Sequence, residues 1–530
     1  MVVGAGVGGL AAAARLAAAG HRVTVCEAGP AVGGKLGWYE RDGFGFDTGP
    51  SLLTLPQVFE DLFTATGAPL RDVLELRPLD PIARYRFGDG VTVDAFADDD
   101  AFADELGTKL GGEAAVDWAA FTERARRIWA ATNETFLERA MPGPRGLARL
   151  AARRPTDITL IAPGTTLRGL GARYLRDPRL RLMLDRYATY TGSDPRRAPA
   201  ALAAVPYAER AFGGWYVAGG LRRLGLAIAD RAAERGARLL VGCPVTEITR
   251  GPGGRADGVR LADGGRLPAD AVVANVDAEE VYTTLLPVGR SRGRRPAEAA
   301  GGSAPNRRAQ PDQRVGRARR ALGRAVPSLS GFVVLLAVRG RTPGLAHHTV
   351  LFPGDYPTGY DAELDAVFGG RLATDPTVYV AAPTDPDLAP PGDEAWFVLV
   401  NAARHAPTRS PGGSPTTAPA GRTIDWDRPG LATAYTEHIL TVLAARGMDV
   451  RDRVRWREII TPADLERRTG AVGGSIYGTS SNGARSAFLR PANVSPVPGL
   501  FLVGGSSHPG GGLPLVAMSA RIVADLLGPA

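Results

Sequence analysis

Met1-Val2-Val3-Gly4-Ala5-Gly6-Val7-Gly8-Gly9-Leu10-Ala11-Ala12-Ala13 opens the chain, and His21-Arg22-Val23-Thr24-Val25-Cys26-Glu27 follows it. The first three residues read as the end of an apolar strand. Leu10 to Ala19 is alanine-rich and helical, stopped by Gly20. Val23 and Val25 alternate in a second strand that ends at Glu27. Gly4, Gly6 and Gly9 fit the pattern G-x-G-x-x-G. Its first glycine permits a tight turn, its second lets the backbone approach a pyrophosphate, and its third lets helix and strand pack closely. The helix N-terminus then offers free N–H groups and a positive dipole end to phosphates. Glu27 is placed to accept hydrogen bonds from ribose hydroxyls, which favours an adenosine ribose without a 2′-phosphate. The motif reads as dinucleotide binding and by itself does not separate FAD from NAD.

Working outward, 530 residues with 44% hydrophobic and 22% charged side chains describe a globular chain of two ordinary domains or one large interleaved pair. The net charge of +8 is not spread evenly. Between Pro287 and Ala325 eleven arginines face only Glu298 and Asp312, a net +9, so the rest sums to −1. The folded body is nearly neutral, and nucleic acid is not an expected partner. Cys26 and Cys243 are the only cysteines and lie at apolar strand patterns, as buried thiols of a reducing compartment would. No zinc spacing is present. His347-His348 lacks a third ligand in pattern, so no metal is expected. No signal peptide is visible and no apolar run approaches 18 residues. The expected location is cytoplasmic, with peripheral association at the inner face of the cell membrane.

Further elements follow the same periodicities. Leu221 to Arg235 reads as an amphipathic helix, and Ala237 to Val241 and Ala271 to Asn275 as strands. Gly331 to Val338 and Ala395 to Asn401 read as sheet strands, and Leu513 to Leu527 as a closing helix. The stretch Leu147 to Leu184, with interleaved Arg and Leu, is a candidate to lie on a bilayer or to form ordinary amphipathic helices. The arginine-rich stretch 287–325 reads as a disordered insert and 407–422 as a flexible loop.

Other segments narrow the reading. Gly33-Gly34-Lys35-Leu36 follows Glu27 closely, and Asp42-Gly43-Phe44-Gly45-Phe46-Asp47-Thr48-Gly49-Pro50-Ser51 comes next. Near the end stands Gly499-Leu500-Phe501-Leu502-Val503-Gly504-Gly505-Ser506-Ser507-His508-Pro509-Gly510-Gly511-Gly512-Leu513-Pro514. Asp185 to Tyr190, Gly214 to Gly220, Gly344 to His348, Gly474 to Gly478 and Ala487 to Pro491 fit alongside. Together these resemble the bacterial phytoene and carotenoid desaturases of the FAD-dependent amine oxidase superfamily, over nearly the whole chain. The resemblance implies an α/β fold in which a Rossmann-like FAD-binding domain (1–85, 216–286 and 471–530) is interleaved with a mixed-sheet and helical substrate domain (86–215 and 326–470). It also implies FAD held along Gly4, Gly6, Gly8, Gly9, Glu27, Ala28, Gly34, Lys35, Leu36, Gly49, Pro50, Ser51, Val245, Gly504, Gly505, Gly512, Leu513 and Pro514. The closing helix would aim its dipole at the charge of reduced flavin.

The implied substrate is a long apolar polyene, phytoene or a later carotenoid, with a quinone or oxygen as electron acceptor. An allylic CH₂ offers a base no acidic proton, so hydride leaves first and a neighbouring proton follows. A hydrocarbon makes no hydrogen bonds, so an apolar tunnel must select it. His508 is the candidate proton acceptor, with Tyr190 and Arg186 nearby in the pattern. The segment Tyr477 to Gly483 looks more like desaturases of hydroxylated carotenoids or terminal-methyl oxidases. An amine oxidase would need an aromatic cage, which the sequence does not locate. A non-catalytic carrier of prenyl lipids shares the fold but needs no flavin.

Overall fold

The computed structural model describes residues 1–142, 144–286, 309–406, 423–483 and 490–530. The loop 407–422 and the first part of the arginine-rich stretch, 287–308, lie outside the described residues, as does Ala487 to Leu489.

Strand Val2–Val3, the glycine turn and helix Val7–Ala18 form as read, and strand Thr24–Cys26 pairs in parallel with the first. Segments distant in sequence complete a five-stranded parallel sheet in the order Leu500–Leu502, Val272–Ala274, Val2–Val3, Thr24–Cys26, Arg238–Leu240. The three inner strands are almost wholly apolar, as a parallel sheet covered on both faces requires, while the edge strand Arg238–Leu240 is partly exposed. Helix Val7–Ala18 is buried along most of its length, Leu10 and Ala11 to Ala14 completely. Its alanines let helix Arg222–Glu234 and the closing helix Leu513–Leu527 pack directly on it.

A mixed seven-stranded sheet forms the second layer, in the order Val454–Ile460, Ser330–Val338, Glu394–Ala402, Val378–Ala381, His348–Leu351, Ala83–Arg86, Thr92–Ala95. Its one parallel pairing joins His348–Leu351 to Ala83–Arg86. The latter strand straddles the domain boundary expected at 85/86. Ser330–Val338 is buried throughout. Phe332, Val334 and Leu336 pack into the cluster that includes Ile439 and Leu443 of helix Leu431–Ala445, whereas Val333 and Leu335 face the other way.

One expectation changes and another narrows. The arginine-rich stretch is not irregular throughout, because Ala309–Leu322 is a helix. Val315, Ala318 and Leu322 recur at helical spacing and pack on the cluster that holds Tyr282 and Leu285, while Arg319 donates to the Leu286 carbonyl at 3.0 Å. The average composition of the stretch hides that apolar stripe. The candidate bilayer stretch Leu147 to Leu184 also divides. From Leu167 onward its leucines are core, with Leu167, Leu170, Leu175, Leu180 and Leu184 all buried in one helical cluster. Only helices Pro144–Arg153 and Pro155–Ile161 stay at the surface, and Arg145, Arg149, Arg153 and Arg154 there are exposed. No helix among the described residues is long and apolar enough to cross a membrane.

Candidate active site

Asn275, the residue after strand Val272–Ala274, organises the glycine turns. Its Nδ2 donates to the Gly4 carbonyl at 3.3 Å. A Cβ at Gly4 would meet its carbonyl oxygen at 2.8 Å, one at Gly6 its Nδ2 at 2.8 Å, and one at Gly504 its Oδ1 at 2.6 Å. Gly9 stands behind the turn, where a Cβ would lie 2.1 Å from the Gly4 carbonyl. Only residues without side chains let these backbones meet. Sequence reading assigned Asn275 to a strand end and missed this role, since its effect depends on turns hundreds of residues away.

The same convergence brings two helix N-termini together. Helices Val7–Ala18 and Leu513–Leu527 begin at Gly6 and Gly512, with no side-chain cap and no acid in the first turn. Their open N–H groups make both ends anion sites. A Cβ at Gly8 would touch Val516 Cγ1 at 2.8 Å, which shows how near the two helices lie.

Both ends open into one cavity of about 1780 Å³. Single-ligand pockets run to about 300–1,000 Å³, so there is room for a cofactor and a large substrate. Its wall contains Gly4, Gly6, Gly8, Glu27, Ala28, Gly34, Lys35, Leu36, Gly49, Pro50, Ser51, Val245, Gly504, Gly505, Gly512, Leu513, Pro514 and His508. Of the residues expected at the site, Gly9 alone stays off the wall and acts from behind. Glu27 Oε2 accepts from the Ala5 N–H at 2.6 Å and Oε1 from the Gly29 N–H at 2.8 Å, which fixes the carboxylate beside the turn. Lys35 differs from a cofactor-facing cation. Its Nζ donates to the Ser475 and Ile476 carbonyls at 2.8 and 2.6 Å, and burial pushes its pKa down to about 8 despite the nearby Asp277. It fastens the 475–476 segment to the glycine strip.

His508 reaches the wall, but its ring is engaged. Nε2 lies 2.9 Å from the Arg139 carbonyl, and burial lowers its pKa, so a neutral ring donates there. His348 is likewise neutral, held by burial at about 4, with ring nitrogens 3.1 Å from the Ile82 carbonyl and 3.2 Å from that of Ser51. His347 packs edge-on against Tyr216 and is lowered further, to about 2, chiefly by burial.

Beyond the glycine strip the wall turns apolar, with Trp129, Phe136, Leu202, Val205, Phe397 and Leu399. It reaches the surface beside Ile158, Ile161, Pro163 and Gly164, the last two exposed. Polar residues line it too, Arg186, Tyr190 and Glu209 among them. Arg186 is buried over the rings of Tyr190, Tyr379 and Tyr85, at 4.8, 5.6 and 5.9 Å from their centres. Glu209, also buried, accepts from Tyr187 Oη at 2.6 Å. Burial raises the Glu209 pKa, opposed by Tyr187 and Arg186. Glu209 was not singled out in the sequence. A lone acid within Ala204–Phe212, a helix that buries Ala208 and Arg210 as well, was the available signal.

A side-chain-free strip, a fixed acid beside it and two open helix ends fit an extended, doubly anionic dinucleotide. Residues 7–304 match the family model of flavin containing amine oxidoreductases, more than half of the chain. The chain belongs to that family. A hydroxyneurosporene desaturase of Cereibacter sphaeroides is 34% identical over 99% of this chain and 97% of its own length. A 4,4′-diapolycopene oxygenase of a Methylomonas species is 33% identical over 99% and 97%. Among solved structures, an oxidoreductase from Methanosarcina mazei superposes with a TM-score of 0.59 at 16% identity, covering 99% of both chains. This flavoprotein is an FAD-dependent oxidoreductase. When bound, FAD supplies a two-electron acceptor for hydrogen. The helix ends at Gly6 and Gly512 would hold its charged parts, Glu27 its ribose, and the turn Gly49-Pro50-Ser51 would flank it.

Asn275→Leu keeps the volume but removes the amide at the crossing of the turns. The purified variant is expected to hold less FAD per chain and to be destabilised by about 1–3 kcal/mol, the cost of unsatisfied buried groups. Flavin content and the denaturation midpoint check this. A pH effect follows from His348 and His347. Both have folded values below the ordinary 6.5 of the unfolded chain, so their contribution to stability is complete above pH 6.5 and is lost as pH falls. Most of the His348 share disappears by about pH 4. The drop in melting temperature across that window is expected to be smaller in His347→Phe/His348→Gln.

Proposed function

We propose that this flavoprotein dehydrogenates a long acyclic carotenoid at a membrane surface, forming new C=C bonds in the polyene. The observation that carries this is the continuity of the cavity, from the glycine strip through an apolar wall to the surface near Ile158 and Ile161. The named relatives that act on carotenoids support the same substrate class. The wall holds the chain in place, excludes water and offers shape rather than hydrogen bonds for selection. His508, tied to the Arg139 carbonyl, braces the closing turn in this reading and takes no proton.

The amine-oxidase reading fares worse. An aromatic cage does exist, formed by Tyr85, Tyr190 and Tyr379, but Arg186 fills it. A cationic amine would meet a buried cation in its place. A prenyl-lipid carrier would not require Glu27 and two open helix ends on one cavity.

The membrane belongs to the proposal because the substrate is insoluble. The cavity mouth lies on the short helix Pro155–Ile161, and exposed Arg149, Arg153 and Arg154 stand on the adjoining turns. Partly buried isoleucines beside arginines suit the interface of an anionic bilayer. There the enzyme would take its substrate and pass electrons to a dissolved quinone or to oxygen, from the inner face of the cell membrane.

Expressed in a bacterium that accumulates acyclic carotenoids, the chain is expected to move pigment absorption to longer wavelength, each added double bond giving a further step. Unchanged pigments beside a yellow, FAD-bearing protein would overturn the reading. Ile158→Ser/Ile161→Ser is expected to bind anionic liposomes at least about tenfold more weakly, since tenfold needs only about 1.4 kcal/mol and each isoleucine brings up to about 1.5–3 kcal/mol of apolar burial. Flavin content should stay at the wild-type level. Unaltered liposome binding would remove this face from the proposal.

A further inference from the structure

The phosphates of a bound dinucleotide would lie near the Glu27 carboxylate, and the glycine strip itself brings them no cation. Helix Val7–Ala18 has a basic residue, Arg15, only in its last turn. Lys35 gives its N–H groups to two carbonyls. Six lysine and arginine side chains line the cavity, Lys35 among them. Arg490 donates to the Tyr477, Gly505 and Thr479 carbonyls at 3.0, 2.7 and 2.9 Å. Arg186 is bonded to Tyr190, Arg222 lies over the Trp38 ring, and Arg467 pairs with Asp427 and Asp464 at 2.8 and 2.6 Å. Arg468, in the last turn of helix Pro462–Thr469, is the sixth. Its Nη2 donates to a neutral hydroxyl, Thr48 Oγ1, at 2.7 Å, and no carboxylate among the described residues lies within 4.0 Å of its guanidinium. Burial pushes its pKa down, with Asp464 opposing. The cation is short of counter-charge.

Glycine fixes where it stands. A Cβ at Gly37 would meet Arg468 Nη2 at 2.6 Å, so the guanidinium lies directly against the strip. That same Cβ position is 3.6 Å from the Gly34 carbonyl oxygen, and a Cβ at Gly34 would be 3.1 Å from Gly6 Cα. Thr48 adjoins Gly49. The guanidinium thus stands between the helix start at Gly6 and the turn Gly49-Pro50-Ser51. Arg468, Gly34 and Gly470 are exposed where the cavity opens beside the strip, so this side chain has free surface to meet a ligand.

We infer that Arg468 receives a phosphate of the FAD diphosphate, the role that Lys35 leaves empty. A guanidinium bonded once to Thr48 keeps further donors, and its planar edge matches two phosphate oxygens. The inference needs only that FAD is bound and is independent of the polyene substrate. The rival role is structural: a strut that holds Thr48 and completes the helix dipole.

The test uses the purified full chain with and without FAD. Apoprotein is titrated with FAD by flavin fluorescence, and melting temperatures are taken in both forms. Arg468→Met is expected to raise the Kd for FAD on the order of 10–100-fold, the range of one charge-assisted hydrogen bond. The rise in melting temperature that FAD gives should shrink with it. The apoprotein itself should melt no lower than wild type, because an uncompensated cation is gone. Added salt should weaken FAD binding less steeply in this variant than in wild type. Arg467→Met is the control: its charge is already paired, so the Kd should stay within about threefold. A destabilised Arg468→Met apoprotein with unchanged Kd would make the residue a strut and overturn the inference. Equal losses of affinity in the two Met variants would also overturn it, since they would reflect only the general field at the opening. If Arg468→Met does not fold, Arg468→Lys and Arg468→Gln carry the comparison. The lysine variant, which keeps the charge, is then expected to bind FAD about tenfold more tightly than the glutamine variant, and equal binding overturns the inference.

Discussion

Close approach of backbone to backbone around Asn275 is the constraint on which the rest of the structure depends. Its side chain sits where the turns of Gly4, Gly6, Gly8 and Gly504 meet, at distances that leave no room for a Cβ. Because the turns can touch, the first and last helices can begin at the same place, both uncapped. Two open helix ends in one cavity create a positive potential without a charged side chain. Anion binding at this site is therefore a consequence of packing. The alanine run of the first helix serves the same end, since larger residues would hold the helices apart.

Burial governs the chemistry of the remaining wall. For each buried group there, desolvation is the largest influence on its protonation state. His348 and His508 are lowered, Glu209 is raised, and Lys35 is lowered although Asp277 opposes the shift. Groups with internal partners, such as Lys35 on two carbonyls, become struts. Arg186 and Glu209 also line the cavity, and each is bonded to a neighbouring tyrosine.

Much of this was legible in the chain. The G-x-G-x-x-G turn, Glu27 and the closing glycine segment identified the nucleotide half, because their geometry depends on local backbone freedom and short-range spacing. The strands Ser330–Val338 and Glu394–Ala402 were visible as apolar runs, since a strand covered on both faces admits little else. Where a reading failed, over 287–325, composition had been averaged over a segment with two parts. The arginine-rich stretch contains a helix with an apolar stripe at Val315, Ala318 and Leu322. The Arg/Leu stretch from Leu147 contains surface helices first and core helices afterwards.

The sequence by itself determined the dinucleotide-binding fold and the helices that follow its glycine turns, because turns and helix ends are set by neighbours within a few residues. Only the tertiary structure decided which side chains share the cavity. Asn275 matters through turns at Gly4 and Gly504, and Glu209 is held on the wall by Tyr187 of another helix. Whether a buried polar group has a partner depends on the whole packing around it. No local pattern encodes that, and the active wall is assembled from such groups.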